Sequence, residues 1–344
     1  MSRAADSGLG AGTCGYTAHL MKVLVTGGAG FIGSAFVRGV LTDTLPGLEG
    51  AHVTVVDKLT YAGSLANLAP VATSGRLDVV PGDVCDPALV EAVMRRHEGV
   101  VHFAAESHVD RSIRAAAEFA MTNVVGTQVL LDAALRHGVE RFVHVSTDEV
   151  YGSIPSGSWT ESSPVAPNSP YAATKAGADL LALSYHRTHG LPVTVTRCAN
   201  NYGPYQHPEK LIPRFVTNLL EGRTVPLYGD GSQVRDWIHV DDHCRATALV
   251  LERGKPGEVY HVGGGQELTN RELTGLLLRA CGADWDRVVQ VEDRKGHDRR
   301  YALDDSRLRD ELGYRPEVDF AGGLAATVRW YRDNPGWWRP LVID

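Results

Sequence analysis

What this 344-residue chain lacks narrows its class first. No apolar run approaches the roughly 18 residues of a membrane-spanning helix, so no span is expected. Cations are outnumbered, 34 Lys and Arg against 41 Asp and Glu, for a net charge of −7, and no basic block is present. Neither nucleic acid nor an anionic membrane surface is therefore expected as a partner, and any anionic ligand must be held by local positive charge. The five cysteines (Cys14, Cys85, Cys198, Cys244, Cys281) are scattered and never in C-x-x-C spacing, which argues against a disulfide framework and a zinc site and fits a reducing cytoplasm. His239 and His243 stand four apart, but the glutamate of H-E-x-x-H is missing and no third ligand is evident, so no metal is expected. Residues 1–20 lack the apolar centre of a signal peptide and read as a flexible leader ahead of Met21. No internal repeat or low-complexity tract occurs, and a hydrophobic content of 43% suffices to bury a large core.

What is present is a regular alternation. Lys22–Thr26 reads as a short buried strand, Gly27–Gly33 as a turn into a helix and Val53–Asp57 as a second strand, a βαβ unit. Further buried strands are predicted at Leu77–Val80, Val100–Ala104, Phe142–Ser146 and Val193–Arg197, with Phe119–His137 and Ala172–His189 among the intervening helices. This pattern implies an α/β fold built on a doubly wound, Rossmann-type parallel sheet. After Asn200, Pro204, Pro208, Pro213 and Pro226 break the pattern, although Val259–Val262 looks like one more strand. A dinucleotide-binding domain is expected over 21–200 with a returning segment near 236–264. A smaller, partly interleaved C-terminal substrate domain is expected from 201–235 and 265–340.

Gly27, Gly28, Gly30 and Gly33 satisfy G-x-G-x-x-G within the βαβ unit, which lets the backbone approach a pyrophosphate at a helix N-terminus. Asp57 ends the second strand 24 residues past Gly33, where a carboxylate bonds the adenosine ribose and repels a 2′-phosphate; NAD is thus expected over NADP. Lys58 beside it weakens that preference slightly, as a cation that tolerates a phosphate. Asp83 either contacts the adenine or caps the helix at Pro87, and Ala104, Ala105, Glu106 and Ser107 would pass along the cofactor. Tyr171 and Lys175 lie one helical turn apart, so the ammonium would lower the phenol's pKa and let a phenolate accept a hydroxyl proton. Thr147, Asp148 and Glu149 follow a strand; both carboxylates reach one substrate only if the backbone turns after Ser146, and that turn is predicted. Arg235 and the run His297 to Tyr301 either bind phosphate or form a solvated salt-bridge cluster.

These segments resemble the extended short-chain dehydrogenase/reductases and, within them, the dTDP-glucose 4,6-dehydratase family. The resemblance runs from Lys22 to about Trp337 and rests on Val25–Ser34, Val56–Gly63, Ala104–Ser112, Ser146–Gly152, Tyr171–Lys175, Asn200–Tyr205, Pro208–Pro213, Arg235–Trp237 and Gly296–Tyr301. It implies that Tyr171, supported by Lys175 and Thr147, takes the C4 hydroxyl proton as hydride passes to NAD. Glu149 would remove the C5 proton and Asp148 would protonate the leaving C6 hydroxyl, before hydride returns to C6. It further implies that Phe31, Ile32, Asp57, Lys58, Leu59, Thr60, Asp83, Val84 and Thr122 hold the cofactor with Gly27, Gly30 and Gly33. Ser107 would lie near the sugar. Asn200, Lys210, Leu211, Pro226, Tyr228, Arg235, Asn270, His297 and Tyr301 would meet the nucleotide half of dTDP-glucose, with Arg235 on a phosphate. A homodimer is implied, for which helices Phe119–His137 and Ala172–His189 are the candidates. The departures are the leader, Lys295 and Val234, where proline and isoleucine would be expected. A 4-epimerase of the same fold has no use for Asp148 and Glu149, and dehydratases acting on CDP-glucose or GDP-mannose differ at the Thr-Asp-Glu positions.

Overall fold

Runs of Val, Leu and Thr, short and bounded by turns, build the centre of the molecule. The computed structural model describes residues 21–293 and 296–342, so the leader and Lys295 lie outside the described residues. The strands are β1 (Lys22–Thr26), β2 (His52–Asp57), β3 (Leu77–Pro81), β4 (Gly99–His102), β5 (Arg141–Thr147), β6 (Val193–Cys198), β7 (Asn200–Tyr202), β8 (Val225–Tyr228), β9 (Val234–His239), β10 (Val259–Val262), β11 (Glu267–Thr269) and β12 (Val288–Val291). The helices are α1 (Phe31–Leu41), α2 (Pro87–Met94), α3 (Val109–Arg114), α4 (Ala116–Phe119), α5 (Gly126–His137), α6 (Pro170–His189), α7 (Leu211–Leu220), α8 (Val240–Arg253), α9 (Asn270–Cys281), α10 (Ser306–Leu312), α11 (Phe320–Asp333) and α12 (Pro335–Trp338).

Seven strands form one parallel sheet in the order β10-β6-β5-β4-β1-β2-β3. Both faces are covered, which is why these strands read as continuous apolar runs. One face packs on α1 and α8 through Phe36, Val37, Val40, Ala248 and Leu251. The other packs on α2, α5 and α6 through Val90, Met94, Leu130, Leu131 and Ala182. Each such fully buried Leu, Val or Phe contributes about 1.5–3 kcal/mol of transfer free energy. The parallel register brings Thr26, Asp57, His102, Thr147 and Cys198 to one edge of the sheet, the carboxyl edge where ligands collect.

All seven strands predicted for this sheet are present, including β10 beside β6. Several ends move by a residue or two, and two elements differ from expectation for a reason in the packing. β4 ends at His102 rather than Ala104, because Ala104 leaves the sheet to pack against Gly27. The helix expected over 119–137 is interrupted by a π turn at Ala120–Val125, which holds Asn123 inward to bond both the amide and carbonyl of Glu106 and the hydroxyl of Thr174. Beyond the main sheet, β11-β9-β7 and β12-β8 form two small sheets over a third core shared by α7, α9, α11 and α12.

Candidate active site

The first βα turn is shaped by what a side chain would collide with. Gly27 has φ 69°, and a Cβ there would lie 2.6 Å from the Ala104 amide; a Cβ on Gly33 would lie 2.3 Å from the Gly27 carbonyl. α1 therefore starts close under the loop, and its N-cap, Gly30, offers no side-chain acceptor, leaving the first-turn amides for an anion. Asp57 is anchored at the end of β2: Oδ2 accepts the Ala29 amide at 2.9 Å and Oδ1 the Leu59 amide at 2.8 Å. Lys58 pairs with Asp83 at 2.7 Å, so its charge is already answered by a carboxylate. Asp83 does not cap the helix at Pro87; it accepts the Cys85 amide, and Asp86 is the cap.

A single cleft runs from this turn to the carboxyl ends of β5 and β6. Gly27, Gly30, Phe31, Ile32, Gly33, Asp57, Lys58, Thr60, Asp83, Val84, Ala104, Ala105, Ser107 and Thr122 line one half, and Thr147, Asp148, Glu149, Tyr171, Lys175, Asn200 and Lys210 the other. Leu59 does not line it; its backbone sits at φ 53°. Asn200 Oδ1, Gln206 Oε1 and Asp148 Oδ2 are buried in the cleft wall without a hydrogen-bond partner among the described residues, and an occupant rich in hydroxyl, amide and phosphate groups satisfies such a wall. NAD fits the glycine turn and the Asp57 carboxylate on these grounds.

β5 runs through Thr147, one residue further than expected, and the chain then turns into a 3₁₀ helix over Asp148–Tyr151. Thr147 caps that turn, its hydroxyl oxygen accepting the Glu149 amide at 3.3 Å while lying 3.2 Å from Asp148 Oδ1. The turn lets both carboxylates face the cleft. Asp148 is buried and Glu149 half-buried. Burial, then the neighbouring Glu149 charge, holds the Asp148 carboxyl well above the usual carboxylate range, the state of a proton donor.

α6 starts at the cap Ser169, whose side chain accepts the Ala172 amide, and carries Tyr171 and Lys175 on the cleft side. The expectation that the ammonium lowers the phenol's pKa is overturned. Burial, reinforced by the Glu149 charge, pushes the Tyr171 phenol well up, against a hydrogen bond with Thr147. Lys175 Nζ donates to the Val145 carbonyl at 2.7 Å, and burial brings its pKa down to about 8. Desolvation dominates both groups.

Seven expected substrate contacts do not line the cleft: Leu211, Pro226, Tyr228, Arg235, Asn270, His297 and Tyr301. Leu211 opens α7 next to Lys210. Most of the others cluster around the start of β9. Arg235 donates to the Val234 and Asp298 carbonyls and lies 4.3 Å from the centre of the Tyr301 ring, whose hydroxyl donates to Asp298 at 2.6 Å. The Asn270 amide donates to the Gln233 carbonyl, and Tyr228 meets the His297 ring edge-on at 6.3 Å. Arg235 and Tyr301 are close enough to the acidic turn for charge to be felt, Arg235 by Asp148 and Tyr301 by Glu149.

Glu106 lines the cleft with Ala104, Ala105 and Ser107 as expected, but several cleft residues had no predicted role: Cys198, Asn201, Gln206, His207 and Glu209. Cys198 ends β6 and Asn201 lies in β7, while Gln206, His207 and Glu209 belong to the segment between β7 and α7. Tyr61 donates to Glu209 at 3.1 Å, the Arg111 guanidinium sits 3.6 Å over the Tyr61 ring, and Lys210 Nζ donates to the Ser107 carbonyl at 2.9 Å. Tyr61, Arg111 and Glu209 each fall in a segment that carried the family resemblance, which was the available signal. His243, buried, bonds Asn201 Oδ1 at 2.9 Å, and His239 caps α8, so each histidine of that pair has a partner within the protein. Among the described residues no group of His, Cys, Asp and Glu could hold a metal ion.

The model of the GDP-mannose 4,6 dehydratase family matches residues 24–327. A dTDP-glucose 4,6-dehydratase of Streptomyces niveus is 63% identical over 321 residues, 93% of this chain and 96% of that protein. One of Streptomyces antibioticus is 65% identical over 322 residues, covering 93% and 95%. The crystal structure of DesIV, a dTDP-glucose 4,6-dehydratase from Streptomyces venezuelae with NAD and TYD bound, superposes with a TM-score of 0.93 at 65% identity, covering 94% of this chain and 100% of that one.

Proposed function

The chain belongs to the dTDP-glucose 4,6-dehydratases, NAD-dependent hydro-lyases of the extended short-chain dehydrogenase/reductase type, and from that premise we propose how its cleft divides the reaction. dTDP-glucose is oxidised at C4, loses water across C5–C6 and is reduced at C6, giving dTDP-4-keto-6-deoxyglucose. NAD, when bound, supplies the hydride acceptor at C4, the donor at C6, and a positive ring charge that offsets the burial of the Tyr171 phenol. Tyr171, bonded to Thr147 and backed by Lys175, takes the C4 hydroxyl proton. The C4 ketone acidifies C5, and Glu149 removes that proton. Asp148, protonated in its buried position, hands its proton to the C6 hydroxyl, which leaves as water. The observation that carries this reading is one turn placing a buried carboxyl, its pKa raised by that burial, and a more exposed carboxylate side by side in the cleft that Tyr171 lines.

The residue roles above and the grip of Asn200, Lys210, Ser107, Arg235, Tyr301 and their neighbours on the nucleotide sugar are our assignment. So is the division into an NAD-binding domain, 21–200 with a return near 236–264, and a nucleotide-sugar domain from 201–235 and 265–340. It is supported by β10 joining the main sheet while β8, β11 and β12 build the small ones. We also assign a homodimer. Ile113, Met121, Val125 and Leu180 leave an exposed apolar face on α3, the π turn and α6, where burial against a second copy removes it from water. A reducing, cytoplasmic setting fits the four described cysteines, all free, and no described helix is long and apolar enough to cross a membrane.

Purified protein incubated with dTDP-glucose, UDP-glucose, CDP-glucose or GDP-mannose tests the substrate assignment. Alkali-induced 4-keto-sugar absorbance is expected with dTDP-glucose above all; equal or greater signal with another nucleotide sugar overturns it.

A further inference from the structure

A four-residue 3₁₀ turn cannot hold itself in place, since it closes few hydrogen bonds for the dihedrals it fixes. In Asp148–Tyr151 the start is tied by Thr147, inside the cleft. The end is tied by Tyr151, outside it, in a polar chain buried in the core. The Tyr151 hydroxyl accepts from Arg197 Nη1 and donates to His261 Nε2 at 2.6 Å, and His261 Nδ1 in turn donates to the Asp304 carbonyl at 2.9 Å. Arg197 Nε donates to Asp179 Oδ2 at 2.8 Å, and Asp179 Oδ1 lies 3.3 Å from His144 Nε2. The Tyr151 ring stacks on Trp159 at 5.6 Å, and the Trp159 indole donates to the Gly152 carbonyl.

This chain joins every element that bears the chemistry. His144 is on β5, Asp179 is one turn beyond Lys175 on α6, Arg197 precedes Cys198 on β6, and His261 is on β10. An ion pair sealed from water as Arg197–Asp179 is, with side chains 4% and 0% exposed, is a poor source of net stability, because desolvation consumes most of the attraction. Its directional bonds do fix geometry. We propose that Tyr151, clamped by Arg197 and His261, is a positioning residue that sets the Asp148–Glu149 turn against the cleft and thereby governs the elimination half of the reaction rather than C4 oxidation, which Tyr171 and Lys175 serve from α6.

The proposal rests on the dehydratase reading, and turnover of dTDP-glucose by the unaltered enzyme checks that reading first in the same assay. Tyr151→Phe keeps the ring and its stack on Trp159 and deletes only the clamped hydroxyl. In D₂O, its C5 deuterium incorporation and kcat fall on the order of 10²-fold with KM unchanged, while bound reduced nicotinamide accumulates above the wild-type level. With Tyr151 intact, His261→Gln, which retains an acceptor for the phenol, keeps most of the wild-type elimination rate; His261→Leu does not. Independently of any sugar, amide exchange of Glu149 and Gly152 rises about tenfold in Tyr151→Phe, and that of Lys175 is unchanged. Oxidation and C5 exchange falling in equal proportion, neither falling, or amide exchange that stays at the wild-type rate overturns the proposal.

Discussion

Asp148 and Glu149 are neighbours in the chain, yet one turn of backbone gives them unlike surroundings, and unlike surroundings let two carboxyls serve as acid and base at one pH. Glu149→Gln keeps the shape and removes the base: kcat falls by about 10²- to 10⁴-fold while C5 deuterium exchange from solvent collapses and NAD binding is retained. Exchange at the wild-type rate would remove Glu149 from that role. Asp148 makes a second, thermodynamic prediction. Its folded pKa is raised above the ordinary 3.8, so folded protein keeps a proton the unfolded chain releases. Its contribution to stability is complete below that ordinary value and declines as pH rises toward the raised one. Asp148→Asn has nothing to ionise, so its melting temperature gains on the wild type as pH rises above the ordinary carboxylate value of 3.8, though it no longer dehydrates. A difference that stays constant as pH rises contradicts the burial argument. At this scale the sequence made the pairing of Tyr171 with Lys175 legible, because one helical turn is local geometry. It hid the direction of the phenol's shift, which comes from desolvation by groups distant in the chain, such as Phe119, whose ring packs edge-on against Tyr171 at 6.4 Å.

Elements were legible where a period or a steric rule repeats. The buried strands announced themselves as apolar runs, and the glycine turn as a place where backbones must touch. Gly33→Ala puts a methyl into the Gly27 carbonyl, so α1 must shift; we expect a loss of about 1–3 kcal/mol of stability, as for other overpacked sites, and weaker NAD binding by titration. Wild-type affinity and melting temperature together would mean that α1 can move without consequence. The π turn at Ala120–Val125 was not legible, since its cause is a tertiary contact, Asn123 reaching the backbone of Glu106, and nothing in the local pattern marks it. The small sheets were equally obscure: β7 and β11 are three residues each, too short for alternation to register.

At the scale of the molecule, α3, α6 and the π turn expose Met121 and Leu180 at 52% and 54%, an apolar face that a second copy would cover. Met121→Arg combined with Leu180→Arg should shift the mass measured by light scattering from two chains to one; an unchanged mass places the interface elsewhere. The cleft itself was readable as a convergence of strand ends, but the group around Arg235, Asn270 and Tyr301 was not placed by it, because those residues are assembled by β9, the start of α9 and the segment at 297–301 rather than by the main sheet. The account depends on one sugar ring meeting Tyr171, Asp148 and Glu149 in a single site. Turnover of dTDP-glucose deuterated at C4, in ordinary water, tests this most directly. The deuterium should reappear at C6 of the same sugar, with a solvent proton at C5; deuterium lost to solvent, or retained at C4, would contradict it.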